Sequence, residues 1–438
     1  MPAGEIRALI SRERKDGHMA EFTEFPLDLP QAETPKQPET PEKPGKGRRR
    51  RSREGVDQTR GRIDLTFLLL TLFLLGIGLV MMLSASYVSA YYDTVGGGNP
   101  GDPLYYFRRQ VLLAIIGLVA MVLLARLPYG LLRWPMLPYI ALVGAAALMI
   151  LVTVIGKASH GAVRWVQIGG IRFQPSELLK AALVFFFAEW GSRHADRMGS
   201  FKFGAMPHLI LMLFFAVLLM PQPHLSATMI VVGVTLIMMW ASGTRWYYVI
   251  GILVIMWLLY LFAMANREWL TSLVDKFSYI YTRIDAWQDP EKERLGEGWQ
   301  ILQSLYAIGS GGLLGLGLGQ SRQKYLYLPE EHNDYIFSII CEELGFIGAV
   351  LILLLFAVLI IRGYWLAMHC RNRFDSLLIT GFTSLLFLQV FLNVAVATNF
   401  LPSTGISLPF FSYGGTALIM QLGEVGLILL ASRGIPDK

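Results

Sequence analysis

Long apolar runs recur in this sequence from Ile63 onward. Each is roughly 17 to 25 residues long, which lets a single helix cross the hydrocarbon core of a bilayer, about 30 Å thick. Of the 438 residues, 54% are hydrophobic and 16% are charged, and the mean hydropathy is +0.48. A water-soluble domain of this size could not bury so much apolar surface. The sequence therefore predicts an integral membrane protein.

We count about ten such runs, so the predicted fold is an all-α polytopic membrane protein. The predicted spans are 63–86, 108–126, 137–156, 174–191, 207–221, 225–241, 246–266, 334–362, 376–398 and 415–432. The division between the fifth and sixth spans rests on the segment MPQPHLSAT, whose two prolines favour a turn. A large loop, 266–333, separates the seventh span from the eighth.

Basic residues in the short loops predict the orientation of the chain, because Lys and Arg accumulate on the cytoplasmic side. They are Arg48 to Arg53, Arg126, Arg133, Arg193, Arg197, Lys202, Arg245, Arg362, Arg371 and Arg373. This pattern predicts that both termini are cytoplasmic and that loop 266–333 lies outside. It also explains the net charge of +6 better than nucleic-acid binding does.

Residues 1–60 form a segment of different composition, charged and rich in proline. No apolar run there could act as a signal peptide, so we expect a disordered cytoplasmic tail ahead of a transmembrane domain over 61–438. A solvated topological anchor is the favoured interpretation of the tail, and a docking or lipid-binding arm is the alternative.

The predicted outer loop before the fourth span ends in a helix start. Pro175 suits the first turn of a helix, and Glu177 favours the positive end of the helix dipole. Glu177 and Lys180 are three residues apart and share a helix face. They predict either a buried ion pair that braces the bundle or a Lys180 that faces an anionic substrate, and both interpretations stay open.

The earlier part of that loop contains three further residues that suggest a binding site. Arg164 and Arg172 could hold a phosphate, and Trp165 could pack on the face of a sugar. The alternative is that all three anchor the loop at the membrane interface.

The loop 266–333 contains one segment with helical spacing of apolar residues. Phe277, Ile280, Tyr281, Ile284 and Trp287 recur with polar residues between them. This spacing predicts an amphipathic helix on the outer membrane surface. A plain interfacial anchor is favoured over a guide for a lipid substrate.

Several catalytic and binding motifs are missing from the sequence. It has no HExxH, Walker A or Gly-x-Ser-x-Gly motif, which argues against a metalloprotease, an ATP pump and a serine hydrolase. The run Gly309–Gly319 matches neither a dinucleotide-binding loop nor a P-loop. Flexible backbone beside a cavity, or close packing, remains as its interpretation. Cys341 and Cys370 fall at opposite ends of one predicted helix, too far apart for a disulfide.

A charged cluster stands where loop 266–333 meets the eighth span. Asp334 could cap that helix, as could Asn333, or it could be a functional carboxylate at the membrane surface. The stripe Asp334, Ser338, Cys341 and Gly345 shares one helix face and could line a cavity.

Two further acids, Glu342 and Glu343, lie on the same predicted helix, roughly 12 to 14 Å beyond Asp334. Buried acids need partners, which the sequence does not identify. We assign Glu342 and Glu343, like Glu177, a structural role.

Three segments, in this order, resemble the SEDS family (shape, elongation, division, sporulation) of peptidoglycan glycosyltransferases, which includes FtsW, RodA and SpoVE. The segments are RWVQIGGIRFQPSELLK, QSLYAIGSGGLLGLGLGQSRQKYLYLPEEHNDYIFSIICEELG and NFLPSTGISLPFFSYGG. The pair Asp289–Pro290 and the stretch GLGQSRQKYLYLPE look closer to FtsW, with SpoVE second, than to RodA. Where many members read PDLGT this chain has His224 in place of the acid, whereas HNDY in place of HTDF keeps the acid at Asp334.

The resemblance implies a catalytic role for Asp334 and a reaction on the outer face of the bacterial cytoplasmic membrane. Such enzymes polymerise lipid II: the growing glycan on undecaprenyl pyrophosphate is the donor, and a hydroxyl of incoming lipid II attacks with inversion. Asp334 would be the general base. Positive charge would stabilise the departing pyrophosphate, with a divalent cation, Mg or Mn, as a candidate cofactor. The predicted substrate-binding residues are Arg164, Trp165, Arg172, Lys180, Arg322, Lys324 and His332.

The resemblance also implies partners: a class B penicillin-binding protein transpeptidase and other division proteins. A lipid II flippase is the alternative function, with Lys180, Glu342 and Glu343 along its path. A non-catalytic scaffold of a division complex is a third, although it gives no reason for Asp334 beside Arg322 and Lys324.

Overall fold

The computed structural model describes residues 61–435 apart from 99, 156, 160–161, 169–170, 221, 223–224, 274–275 and 295. At 154–172, 272–277 and 297 it describes no side chains. The predicted tail 1–60 and His224 lie outside the described residues.

A helix forms at each of the predicted spans. In chain order the helices are α1 (Leu65–Gly96), α2 (Tyr105–Ala125), α3 (Tyr129–Leu132), α4 (Leu137–Ile155), α5 (Pro175–Arg193), α6 (Met206–Leu219), α7 (Leu225–Ala241), α8 (Trp246–Ala265), α9 (Arg267–Leu273), α10 (Lys276–Gln288), α11 (Glu297–Ser310), α12 (Ile336–His369), α13 (Arg373–Ala397) and α14 (Thr416–Ser432). A short 3₁₀-helix, Ala195–Arg197, and a π-helix, Phe201–Ala205, connect α5 to α6.

Six helical segments of the described chain are long and apolar enough to cross a membrane: α1, α2, Phe201–Leu219, α8, α12 and α13. The shorter apolar helices are α4, α7 and α14. The polytopic helical membrane fold is thus confirmed, while the number of crossings stays a prediction.

A small antiparallel sheet interrupts the otherwise helical architecture. It has three strands, β1 (Lys157–Ser159), β2 (Ala162–Ile168) and β3 (Ile171–Phe173). No strand was predicted here from the sequence. The missed signals are the β-branched residues of AVRWVQI and the Gly-Gly pair that follows it, which together favour a hairpin.

The helix α13 lies at the centre of the bundle, packed against α5, α7, α12 and α14. Most of its apolar window is buried, whereas α8 is buried over only a small part of its length. Beside it, α2 packs along α14. Because α13 is surrounded by protein, its polar side chains must find partners inside the bundle.

At one end of the bundle the loops are short and held by polar contacts. The guanidinium of Arg362 forms an ion pair with Asp64, Nε lying 3.2 Å from Oδ1. The hydroxyl of Tyr129 donates to Asp375 Oδ2 at 2.7 Å. These contacts fix how the helices leave the bundle where the sequence analysis placed the cytoplasm.

Helix α12 is broken at Gly345, whose φ of +68° lies in the left-handed region. The Gly-rich run fills the break. The amides of Leu316 and Gly317 donate to the carbonyls of Glu342 and Glu343 at 2.9 and 3.0 Å. These bonds satisfy backbone carbonyls that the break would otherwise leave without a hydrogen bond.

Glycine is required at the break because the two backbones touch. A Cβ on Gly315 would overlap the carbonyl of Glu343, and one on Gly345 would overlap the amide nitrogen of Gly315. Close packing is therefore the interpretation of the Gly-rich run that the structure supports.

Candidate active site

Asp334 lies two residues before α12, half-buried at the end of the bundle that carries loops 266–335 and 398–415. Its carboxylate is next to Gly405, since a Cβ built on that glycine would stand 3.0 Å from Oδ2. Gly405 has a φ of +71°, a conformation that favours glycine. The backbone of loop 398–415 therefore forms one wall around the carboxylate.

Neither Asn333 nor Asp334 caps α12, which corrects one interpretation of the sequence. The helix begins at Ile336, and Tyr335 precedes it with no side-chain capping bond. Tyr335 alone separates the acid from the helix. Asp334 thus belongs to the loop, where the loop contacts set its position.

A buried amide from α13 holds the backbone of Asp334. Asn393 Nδ2 donates to the carbonyl of Asp334 at 2.8 Å and to that of Ile406 at 2.6 Å. One side chain thereby ties the acid to the loop beside it. Asn393 was not predicted; the signal was a side-chain amide in the apolar run of the ninth span, which also contains Gln389.

The residues on either side of Asp334 are also tied to loop 398–415. Ser412 Oγ donates to the carbonyl of Asn333 at 2.6 Å, and the amide of Tyr413 donates to the carbonyl of His332 at 2.8 Å. This loop has no helix, as the sequence predicted. Its function in the fold is to anchor the segment 332–335.

His332 is buried within the packing of that segment. Its ring stacks on Tyr106 with centroids 4.8 Å apart, and Nδ1 lies 3.4 Å from Ser89 Oγ. Tyr413 packs against the same aromatic pair. The ring is therefore engaged with α1 and α2, a surrounding that differs from the substrate contact predicted for it.

Glu342 and Glu343 have the partners that the sequence could not identify. Glu342 accepts from the amide of Arg322 at 3.0 Å and from the hydroxyl of Ser321. Glu343 accepts from Ser84 Oγ at 2.7 Å. Both carboxylates thereby fasten loop 319–324 to α12.

Lys324 belongs to the same cluster, which corrects its predicted role in an anion clamp. Its ammonium lies 3.1 Å from Glu343 Oε1 and donates to the carbonyl of Gly319 at 2.6 Å. The residue is only 4% exposed. Because its charge is compensated inside the protein, Lys324 offers little to a pyrophosphate.

Arg322, in contrast, is exposed and lines a cavity of about 810 Å³ between α11 and loop 319–327. Its amide is held by Glu342, so the guanidinium projects from a fixed backbone. Of the basic residues predicted in this loop, Arg322 is placed to meet a ligand.

A second buried ion pair lies on α5. Lys180 Nζ is 2.7 Å from Glu177 Oε2, and both side chains are buried. Glu424, a buried acid on α14, interacts electrostatically with both. The sequence analysis missed Glu424, which stands alone in an apolar run. The geometry is that of the bracing pair, and contact of Lys180 with a substrate stays a prediction.

The structure positions the backbone of the remaining candidates. Arg164 and Trp165 are on β2, and Arg172 is on β3, where it pairs with Gln167. Their side chains lie outside the described part of the chain. Their substrate contacts stay predictions.

The amphipathic helix predicted in loop 266–333 is α10. It packs against loop 398–415 of the protein. Arg283 Nη1 donates to the carbonyl of Ser403 at 2.7 Å. Trp287 Nε1 donates to the carbonyl of Asn399 at 3.1 Å. The helix therefore supports loop 398–415, which in turn holds Asp334.

Helix α11 was not predicted, and it fills the space beside the stripe on α12. Ser304 Oγ lies 2.6 Å from Ser338 Oγ and donates to the carbonyl of Ala397 at 2.7 Å. The run Gly309–Gly319 follows and packs on Cys341. The stripe Ser338, Cys341 and Gly345 is thus buried under α11 and the Gly-rich run, and a cavity along it stays a prediction.

The acids and histidines of the site do not converge as metal ligands do. Within the described part of the chain, no three His, Cys, Asp or Glu side chains lie close enough together to hold a metal ion.

Comparison with known proteins decides the family. A profile for cell cycle proteins, covering FtsW, RodA and SpoVE, matches residues 65–435. This chain belongs to the FtsW/RodA/SpoVE family. The resemblance inferred from the three sequence segments is thereby confirmed.

Relatives of known name in the FtsW/RodA/SpoVE family align over most of the chain. Stage V sporulation protein E of Bacillus subtilis is 38% identical over 84% of this chain and 97% of its own length. A protein of Trichlorobacter lovleyi, named probable peptidoglycan glycosyltransferase FtsW, is 36% identical over 85% of this chain and 93% of its own.

Solved structures agree with the family. A chain of a peptidoglycan synthase complex, in a study of coordinated polymerization and crosslinking, superposes with a TM-score of 0.69 at 28% identity. It covers 86% of this chain and 99% of that chain. The rod shape determining protein RodA of Thermus thermophilus superposes with a TM-score of 0.60 at 28% identity. The match covers 86% of this chain and 98% of that chain.

Proposed function

We propose that this protein is a peptidoglycan glycosyltransferase that polymerises lipid II into glycan strands, with Asp334 as the general base. Relatives that share most of its length are named for the glycosyltransferase activity. The observation that carries the assignment of Asp334 is its placement: a half-buried carboxylate against Gly405, its backbone held by Asn393.

The proposed step is a displacement at the anomeric carbon of the donor glycan. The acceptor hydroxyl of lipid II attacks, the new glycosidic C–O bond forms, and the bond to undecaprenyl pyrophosphate breaks with inversion. The hydroxyl proton passes to the Asp334 carboxylate. The bonds from Asn393, Ser412 and the Tyr413 amide hold the acid in place, so little reorganisation is needed at the moment of transfer.

The departing pyrophosphate requires positive charge. Arg164, Arg172 and Lys180 are the candidates. Arg322 is exposed, but it lines the cavity beside α11, which Asp334 does not line. A divalent cation stays a prediction: it would be held mainly by the substrate's phosphates, with Asp334 nearby.

We place the reaction on the outer face of the bacterial cytoplasmic membrane, with both termini in the cytoplasm. A class B penicillin-binding protein transpeptidase and other division proteins are the proposed partners. Support comes from the match to a chain of a peptidoglycan synthase complex and from relatives named FtsW and stage V sporulation protein E.

The lipid II flippase alternative has less support. A transport path needs polar groups open along the depth of the bundle, whereas Lys180 is paired with Glu177 and Glu343 is paired with Lys324. These charges are already compensated by protein.

The test is a reconstituted assay in which the purified protein, with a class B transpeptidase, receives lipid II. We expect glycan polymer from the wild type and none from Asp334→Asn. Movement of labelled lipid II between leaflets without any polymer would favour the flippase, and full polymerisation by a folded Asp334→Asn variant would refute the mechanism.

A further inference from the structure

The cavity beside α11 is separate from the surroundings of Asp334. It is formed by α11 and loop 319–327 and has a volume of about 810 Å³. Its lining combines aromatic and polar side chains: Trp299, Tyr325, Tyr327, Gln320, Arg322 and Gln323. Neither Asp334 nor Gly405 lines it. A volume of this size is typical of a ligand site.

Hydrogen bonds hold the walls of the cavity in place. Trp299 Nε1 donates to the carbonyl of Tyr327 at 2.9 Å, which joins α11 to the loop. The amides of Arg322 and Gln323 donate to the Glu342 carboxylate at 3.0 and 3.3 Å. A cavity whose walls are fixed before binding loses less conformational entropy when a ligand enters.

One polar atom in the lining points to a ligand. Gln323 Oε1 is buried and has no hydrogen-bond partner among the described residues. A buried acceptor without a donor destabilises the protein, so its presence calls for an explanation. If the Gln323 side chain turned toward the cavity, a ligand hydroxyl or amide could donate to Oε1 and supply one.

The charges around the cavity favour an uncharged ligand over a diphosphate. Arg322 and Lys324 are the cations. The Glu343 carboxylate lies against the Lys324 ammonium, and the Glu342 carboxylate accepts from the backbone amides of Arg322 and Gln323. These four charges cancel, so the local field does not attract a multiply charged anion. The carboxamides and the guanidinium then act as hydrogen-bond donors to neutral groups.

The aromatic side chains fit a sugar. Trp299, Tyr325 and Tyr327 are exposed by 39%, 58% and 56%. Sugar rings present an apolar C–H face together with a rim of hydroxyl and amide groups, which suits flat aromatic surfaces beside carboxamides.

We propose that this cavity is a saccharide-binding subsite that holds sugar units of the glycan chain beyond the reacting pair. The proposal rests on the glycosyltransferase function. A subsite of this kind keeps the product on the enzyme between additions, so it controls chain length without contributing to the chemical step.

The first test measures binding without polymerisation. Purified full-length protein is titrated calorimetrically with a lipid-free peptidoglycan tetrasaccharide, and inorganic pyrophosphate is added as a competitor. We expect the wild type to bind the tetrasaccharide and pyrophosphate not to displace it. Gln323→Leu and Tyr325→Ala should weaken binding about tenfold or more, by loss of one hydrogen bond or one aromatic face.

Tyr306→Ala is the matched control. Tyr306 is also an exposed aromatic residue, 54% accessible, and it lies on α11 outside the cavity. Its removal should leave tetrasaccharide binding unchanged. Gln323→Leu deletes an acceptor that bonds to no described residue, so its folding should resemble that of the wild type, and thermal unfolding checks this.

The second test measures the length of the polymer. Gln323→Leu and Tyr325→Ala should make shorter chains at an initial rate of lipid II consumption similar to that of Tyr306→Ala. The subsite is refuted if the wild type does not bind the tetrasaccharide, if pyrophosphate displaces it, or if the cavity variants bind like Tyr306→Ala. A wild type that makes no polymer refutes the glycosyltransferase function instead, and the binding measurement still decides whether the cavity takes a saccharide.

Discussion

Asp334 and the pair Glu342–Glu343 lie on one short stretch of chain, and the structure surrounds them in opposite ways. Asp334 is half-buried in a loop, with a glycine beside its carboxylate. Glu342 and Glu343 are buried in α12, where hydroxyls, amides and an ammonium occupy their oxygens. Proximity in sequence therefore does not make these acids equivalent: Asp334 is the proposed catalytic base, and Glu342 and Glu343 fasten loop 319–324 to α12.

The sharpest test of this difference compares activity with stability at Asp334. Asp334→Asn removes the proposed base, and general-base catalysis typically contributes 10² to 10⁴ in rate, so polymerisation should fall by about 100-fold or more. The unfolding temperature should stay close to that of the wild type, because the acid is half-buried and the amide has the same shape. Asp196→Asn, an exposed acid at the other end of the bundle, is the control and should retain full activity.

Substitution of Glu343 should lower the stability of the protein more than its polymerisation activity. Glu343→Leu leaves the Lys324 ammonium buried without its carboxylate, which should destabilise the fold by about 3–5 kcal/mol. Thermal unfolding in detergent measures the loss, and activity per folded molecule should change far less than in Asp334→Asn.

The double variant Glu343→Leu with Lys324→Met tests whether the unpaired Lys324 charge causes the loss of stability. Removing both charges should recover much of the lost stability, because no uncompensated ion remains. A double variant as unstable as Glu343→Leu alone would contradict the structural role of the pair.

A smaller effect is expected from Gly405→Ala, which crowds the carboxylate without removing it. The left-handed backbone and the added Cβ, 3.0 Å from Asp334 Oδ2, introduce strain of about 1–3 kcal/mol. Polymerisation should drop several-fold. Gly76→Ala on α1, where no atom lies within 4 Å of the new Cβ, should leave polymerisation unaffected. Equal activities of the two variants would mean that the Gly405 wall is not needed.

The smallest effect concerns the anion clamp. Arg172→Ala should weaken polymerisation more than Arg133→Ala, because only Arg172 lies on the predicted outer side, whereas the Arg133 guanidinium packs over the ring of Phe374, 4.8 Å from its centroid. Steady-state polymerisation rates of the two variants, measured at several lipid II concentrations, test this difference. Similar losses in both variants would argue against Arg172 as part of the clamp.

Hydrophobic length made the spans predictable from the sequence, since crossing a bilayer requires it. The start of α5 at Pro175 and the non-helical loop 398–415 were likewise predictable, because proline and glycine act locally. The partners of Glu342 and Glu343 were not: Ser84 is 259 positions away from Glu343, and no local pattern records such a contact.

The same limit applies to the candidate site. Asp334 was found because its acid belongs to a recognisable segment, whereas Asn393, which holds it, lies in an apolar run outside the motif segments. Lys324 was misassigned because a basic residue in a loop resembles a ligand-binding residue until its buried partner is known. Helix α11 was overlooked because the neighbouring glycines suggested irregular structure.

The break at Gly345 changes how deep the acids of α12 must lie in the bilayer. The part of α12 between the break and the ion-paired Arg362, Phe346–Ile361, is about 16 residues long and, at 1.5 Å per residue, spans roughly 24 Å, so it covers most of the hydrocarbon core by itself. The shorter piece before the break then needs to enter the lipid only slightly. Glu342, Glu343 and the neighbouring cavity would stand at the level of the lipid headgroups, within reach of a water-soluble sugar chain.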